Sequence, residues 1–118
     1  MKVLIVDDNE DITSLLSTFL KSKGFENVVT NNPLEGLERI KGEKYDVVLL
    51  DISMPDFSGI EIIQTLEREK ILKHQKIIIF SAATLSTIQV SNLLEKDGIQ
   101  ECLKKPIQLQ ELLTAITS

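Results

Sequence analysis

Apolar and polar residues follow two different periods along this chain. Short unbroken apolar runs recur at Val3-Leu4-Ile5-Val6, Val47-Val48-Leu49-Leu50 and Ile77-Ile78-Ile79-Phe80. Continuous runs of this length suit strands covered on both faces, as in a parallel sheet. Between them, apolar residues recur at helical spacing. The sets are Ile12, Leu15, Leu16, Phe19 and Leu20; Leu34, Leu37 and Ile40; Ile62, Ile63 and Leu66; Leu93 and Leu94; and Leu109, Leu112, Leu113 and Ile116. Asn32-Pro33-Leu34-Glu35, Ser58-Gly59-Ile60-Glu61 and Ser86-Thr87-Ile88-Gln89 are helix-start patterns, with a capping residue followed three positions later by Glu or Gln. Glu10 and Asp11 open the first helix, Lys21 and Lys23 close it, and Gly24 ends it. The fourth helix is expected to run on to Gly98. Strands are predicted at 2–6, 27–30, 47–50 and 76–80, with a short fifth at 102–103. That is five βα units in one domain spanning 1–118, an α/β fold with helices on both faces of a parallel sheet.

Composition narrows the classes. The apolar runs are far too short for a membrane span, and no charged leader precedes the first strand, so an intracellular, cytoplasmic protein is expected. Eighteen acidic against 13 basic residues give a net charge of −5, which argues against direct binding to nucleic acid. Cys102 is the single cysteine. An internal disulfide or thiolate metal cluster is therefore impossible, and Cys102 reads as a small buried hydrophobe.

The candidate chemistry lies where strands end. Asp51 closes a buried strand and precedes a turn-rich segment with Pro55 and Gly59; alone, it is equally a turn residue and a site carboxylate. The first strand, however, ends at Asp7-Asp8, the fourth at Ser81 and the fifth at Lys105. In a parallel sheet these ends share one edge. Two carboxylates about 4 Å apart repel by roughly 4 kcal/mol at an effective dielectric of ~20, so a three-acid cluster calls for a cation. An all-oxygen, carboxylate-rich set suits Mg²⁺ joined to phosphate. With a hydroxyl and an amine added, the parts of a phosphoryl-transfer site are present.

The set Val6-Asp7-Asp8, Asp51-Ile52-Ser53-Met54-Pro55 with Gly59, Ser81-Ala82 and Lys105-Pro106 resembles the receiver domain of two-component response regulators, of the chemotaxis-type single-domain form. The resemblance covers all 118 residues. It implies a flavodoxin-like sheet of strand order 2-1-3-4-5. It implies that Asp51 accepts a phosphoryl group from a histidine kinase or histidine phosphotransfer protein. Asp8 and Asp51, with the Ser53 backbone carbonyl, would bind Mg²⁺ directly, and Asp7 through a water. Ser81 and Lys105 would bind phosphoryl oxygens; Lys105 is preferred over Lys104 because it directly precedes proline. A cis Lys105-Pro106 bond is implied as well. Such a domain is a monomer without membrane attachment. It catalyses only its own phosphorylation and dephosphorylation, and it signals through the fourth helix, fifth strand and fifth helix.

Two departures from the family pattern, and the residue at one further position, carry further expectations. Cys102 stands where the family has Tyr or Phe, so readout is expected through the loop after Ser81 and the fourth helix, without a ring flip. The segment from Ser81 to Gly98 is slightly longer than usual. Ser53, a small residue two after Asp51, leaves room for attacking water and implies a limited phosphate lifetime. On the first helix, Leu16, Phe19 and Leu20 are expected to face the core, while Ile12 and Leu15 lie nearer the rim and would dock a phosphodonor helix. The competing readings are three. An aspartyl-phosphate hydrolase would carry a second Asp where Ser53 stands. A flavin carrier would not place Asp7-Asp8 at its phosphate loop. A phosphate-independent interaction module would have no need of the full residue set.

Overall fold

Five parallel strands form one sheet in the order β2-β1-β3-β4-β5. The computed structural model describes residues 1–54, 57–81 and 86–118; Pro55, Ala82 and the loop expected after Ser81 lie outside the described residues. The strands are β1 (Lys2–Val6), β2 (Glu26–Thr30), β3 (Val47–Asp51), β4 (Ile77–Ser81) and β5 (Ile99–Lys104). The helices are α1 (Glu10–Ser22), α2 (Pro33–Gly42), α3 (Gly59–Arg68), α4 (Thr87–Leu94) and α5 (Leu109–Thr117). Strand order and layering are those expected of a flavodoxin-like fold.

Side chains alternate across the strands and feed two cores. Val3, Ile5, Val47, Leu49, Ile78 and Phe80 face α1 and α5, against Leu16, Leu20, Leu112 and Ile116. Leu4, Val6, Val48, Leu50, Ile77 and Ile79 face the other way, against Leu37, Ile62, Ile63, Leu66 and Leu93. Both faces of β1, β3 and β4 are therefore dry, which is why their sequences are unbroken apolar runs. At the start of β3, Tyr45 is buried in the second core, with the Lys2 ammonium 5.1 Å from its ring centroid.

Several expectations are corrected. Leu34 is 56% exposed; in α2 its place on the inner face is taken by Gly36, where an added Cβ would stand 2.7 Å from Val6 Cγ1. Phe19 does face the core formed with α1 and α5, as expected, while staying half-buried. The fourth helix stops at Leu94, itself partly exposed, and does not reach Gly98. The fifth strand is longer than its apolar content suggested. A bulge opposite Ile77/Ile78 in the β4–β5 pairing lets Ile99 and Cys102, three residues apart, join the same core, so simple alternation fails there. A 3-10 turn at Leu72–His74 was not anticipated.

Helix starts behave as their sequences predict. Asn32 Oδ1 accepts from the N–H groups of Leu34 and Glu35, and Ser86 with Gln89 forms a complete capping box. At α3 the Ser58 hydroxyl accepts from Glu61 N–H. The first residue of α3 lies hard against the end of β3: a Cβ on Gly59 would stand 2.5 Å from the Asp51 carbonyl oxygen and 2.7 Å from Ile52 Cα. Backbone atoms cannot step aside as a side chain can, so Gly59→Ala should lower the unfolding free energy by about 1–3 kcal/mol, read from urea denaturation. An unchanged midpoint would show that α3 docks with slack.

Candidate functional site

Each site residue is delivered by the end of a strand. Asp51 is the last residue of β3 and Ser81 the last of β4. Asp7 directly follows β1, and Lys105 directly follows β5. Because the strands are parallel and β1, β3, β4 and β5 are successive neighbours, all four ends meet at one edge.

Asp7 and Asp51 are almost completely buried, while Asp8 is exposed. One oxygen from each of the three lies within 4.8 Å of the others. Lys105 Nζ donates to Asp7 Oδ2 at 2.9 Å and stands 3.3 Å from Asp51 Oδ2. Lys104 is exposed, and Lys105, which precedes the proline, is the lysine bonded in the cluster. The Lys105-Pro106 bond is cis, and Lys105 N–H donates to the Ser81 carbonyl at 3.0 Å. The second oxygen of each buried acid is held by main chain: Asn9 N–H donates to Asp7 Oδ1 at 2.9 Å, and Ser53 N–H to Asp51 Oδ1 at 3.0 Å. The hydroxyls of Ser53 and Ser81 stand 3.5 Å apart.

Burial pushes the Asp51 carboxyl above its ordinary range and the Asp7 charge adds to this; the Ser53 N–H and Lys105 offset only part of it. For Lys105, burial acts downward, but the bond to Asp7 and the charges of Asp51 and Asp7 outweigh it and hold the ammonium above the usual lysine value. Among the described residues, three carboxyl groups cluster around one ammonium. The donors are all hard oxygens, and carboxylate oxygens that accept one hydrogen bond keep lone pairs to spare. This set fits a small divalent cation such as Mg²⁺.

Beside this cluster, Ile12, Leu15 and Leu16 of α1 and Lys105, Pro106 and Ile107 line a cleft of about 210 Å³. Leu15 is 55% exposed at the rim, whereas Ile12 is half-buried and also packs against the core formed with α1 and α5. Cys102 lies opposite Ile79, half-buried against the α2–α4 core. Burial raises its thiol pKa, Glu101 raises it further and Lys104 partly offsets them, so the thiol stays protonated at neutral pH.

Three contributors escaped the sequence reading. Asn9 caps α1, accepting from Asp11 and Ile12 N–H; an Asn before an acidic first turn is a legible N-cap signal. Thr13 and Asn31 hydrogen-bond to each other at 3.0 Å. They lie 18 residues apart in the chain, and no local pattern marks them.

The model of the response regulator receiver domain family matches residues 3–117. A transcriptional regulatory protein, the CpxR homolog of Haemophilus influenzae, is 36% identical over 115 residues, covering 98% of this chain and 48% of that protein. The polar-differentiation response regulator DivK of Brucella anthropi is 28% identical, covering 98% of this chain and 93% of that protein. The chain thus spans about half the length of the first relative and nearly all of the second. Among solved structures, the receiver domain of the Francisella response regulator 1452 superposes with a TM-score of 0.87 at 30% identity, covering 98% and 93% of the two chains. A CheY-like receiver domain protein from Methanospirillum hungatei gives 0.83 at 27%, covering 98% and 90%.

The raised Asp51 pKa has a direct consequence for stability. A carboxylate that holds its proton more tightly when folded makes its full contribution to stability below the ordinary carboxylate value of 3.8. It loses that contribution as pH rises through its raised pKa. Without divalent ions, Asp51→Asn should therefore be more stable than the unsubstituted chain at neutral pH, and the gap should close on acidification. Urea midpoints across this pH range measure it; a variant less stable at neutral pH would reverse the sign.

Proposed function

Because the chain belongs to the response regulator receiver domain family, we propose that residues 1–118 form a phosphorylation-controlled switch of a two-component system, with Asp51 as the phosphoacceptor. One observation carries the reading: a buried strand-end carboxylate lies in a three-acid cluster, 3.3 Å from a lysine ammonium fixed by its neighbour Asp7.

In this reading an Asp51 carboxylate oxygen forms the new O–P bond as the P–N bond of a donor phosphohistidine breaks, and the electron pair returns to the imidazole nitrogen. Asp8, Asp51 and the Ser53 carbonyl, with Asp7 beside them, would hold Mg²⁺, and a bound Mg²⁺ would supply positive charge to the phosphoryl oxygens. Lys105 turns from Asp7 and Asp51 toward the incoming phosphoryl group, and Ser81 offers its hydroxyl from the neighbouring strand. The small Ser53 side chain leaves water a path to the phosphorus, which limits the lifetime of the acyl phosphate. The chain acts on no substrate but itself.

Ile12 and Leu15 form the apolar lip on which a histidine kinase or phosphotransfer protein rests its helix. A downstream protein then reads the face of α4, β5 and α5. Cys102 is too small to reproduce the sweep of an aromatic ring, so the message leaves through Ser81 and α4. The setting is cytoplasmic and the domain monomeric; no helix among the described residues is long and apolar enough to cross a membrane.

Incubation with the phosphodonor acetyl phosphate, with and without Mg²⁺, tests the chemistry. Mass spectrometry should find one Mg²⁺-dependent phosphoryl group on the unsubstituted chain and none on Asp51→Asn. Labelling that survives in the variant would remove Asp51 from its role. Docking is tested separately: Ile12→Ala should slow transfer from a phosphorylated histidine phosphotransfer protein by about tenfold while labelling by acetyl phosphate stays unchanged. Equal loss with both donors would assign Ile12 to the core.

A further inference from the structure

The Asp7-Asp8 segment is bound from outside by a residue that no part of the proposed chemistry uses. Asp7 N–H donates to the Thr30 carbonyl at 3.2 Å, one more step of the β1–β2 ladder. In a parallel ladder the next bond would run from Asn32 N–H to the Asp7 carbonyl. The chain turns away at Asn31 instead, and Asn32 N–H lies 3.2 Å from the hydroxyl of Thr30. The missing donor is replaced by a side chain: Asn31 Nδ2 donates to the Asp7 carbonyl at 2.8 Å. Its other hydrogen goes to Thr13 Oγ1 at 3.0 Å, and the Thr13 hydroxyl in turn donates to the Glu10 carbonyl at 3.1 Å. Thr13 is 2% exposed.

From this geometry we infer that Asn31 is a positioning residue for the metal ligands: its one amide group staples together the two ends of the short loop that carries Asp7 and Asp8. One end is the carbonyl of Asp7, the first residue past β1, and the other is the first turn of α1. Asn9 N–H, inside the loop, holds Asp7 Oδ1, so a loop that drifts takes the carboxylate with it. Outer-shell partners that orient metal ligands act through such bonds. Asn31 touches neither metal nor phosphate in this arrangement; it fixes how well Asp7 and Asp8 are aimed before either arrives.

The inference rests on the Mg²⁺-binding reading of the site, and the test separates the two. The chain has no tryptophan, so Mg²⁺ binding is followed by titration calorimetry, with acetyl phosphate labelling alongside. Asn31→Ala should weaken Mg²⁺ binding about tenfold, the lower end for outer-shell changes. Asn31→Asp, which cannot donate to the Asp7 carbonyl, should lose at least as much. Thr13→Ser should retain the affinity of the unsubstituted chain and Thr13→Val should lose part of it. The double variant Asn31→Ala/Thr13→Val should bind no more weakly than Asn31→Ala alone. Ile40→Ala, at the other end of α2, should lose stability and keep its Mg²⁺ affinity, which separates aiming from general loosening. If Asn31→Ala binds Mg²⁺ within about twofold of the unsubstituted chain, or Ile40→Ala weakens binding equally, the inference fails and the site reading stands. If the unsubstituted chain takes up neither Mg²⁺ nor phosphoryl, the site reading itself fails and this inference with it.

Discussion

The arrangement of this fold turns on an electrostatic debt at one edge of its sheet. Two nearly buried carboxylates and a third at the surface share a space in which one oxygen of each lies within 4.8 Å of the others, with Lys105 the one ammonium among the described residues bonded there. Such a cluster persists only where the scaffold is stiff enough to hold like charges together. The stiffness comes from the middle of the sheet. β1, β3 and β4 are dry on both faces; Asp7 directly follows β1 and Asp51 is the last residue of β3.

The same rigidity dictates what surrounds the site. α3 begins so close to the Asp51 backbone that only glycine fits at its first position. α1 is tied to the end of β1 by Asn9 from within and by Asn31 from without. The helices are thus packed against the strand termini as well as across the sheet.

Much of this was legible in the sequence, for identifiable reasons. Strands buried on both faces write themselves as unbroken apolar runs, so β1, β3 and β4 could be read directly, and the residues after them pointed to one edge. β5 could not be delimited, because its bulge breaks the two-residue alternation. Leu34 was misplaced because helical spacing says which residues share a face and not how wide that face is; Gly36 lets α2 sit so near Val6 that Leu34 has nothing to cover. Choosing Lys105 over Lys104 rested on the proline that follows; it is Lys105 that reaches Asp7 and Asp51. Thr13 and Asn31 were invisible because their bond joins segments far apart in the chain. A side chain that replaces a ladder donor leaves no trace in local periodicity.

The position of Tyr45 has a practical corollary. It is the only tyrosine in a chain that lacks tryptophan, and it is buried before the first residue of β3, at the end of that strand remote from Asp51. Near-ultraviolet emission from this molecule therefore comes from the quiet end of the sheet. It is a clean optical gauge of global unfolding and a poor one of events among the acids, so a spectroscopist wishing to watch those must bring a dye, an isotope or a fluorinated probe.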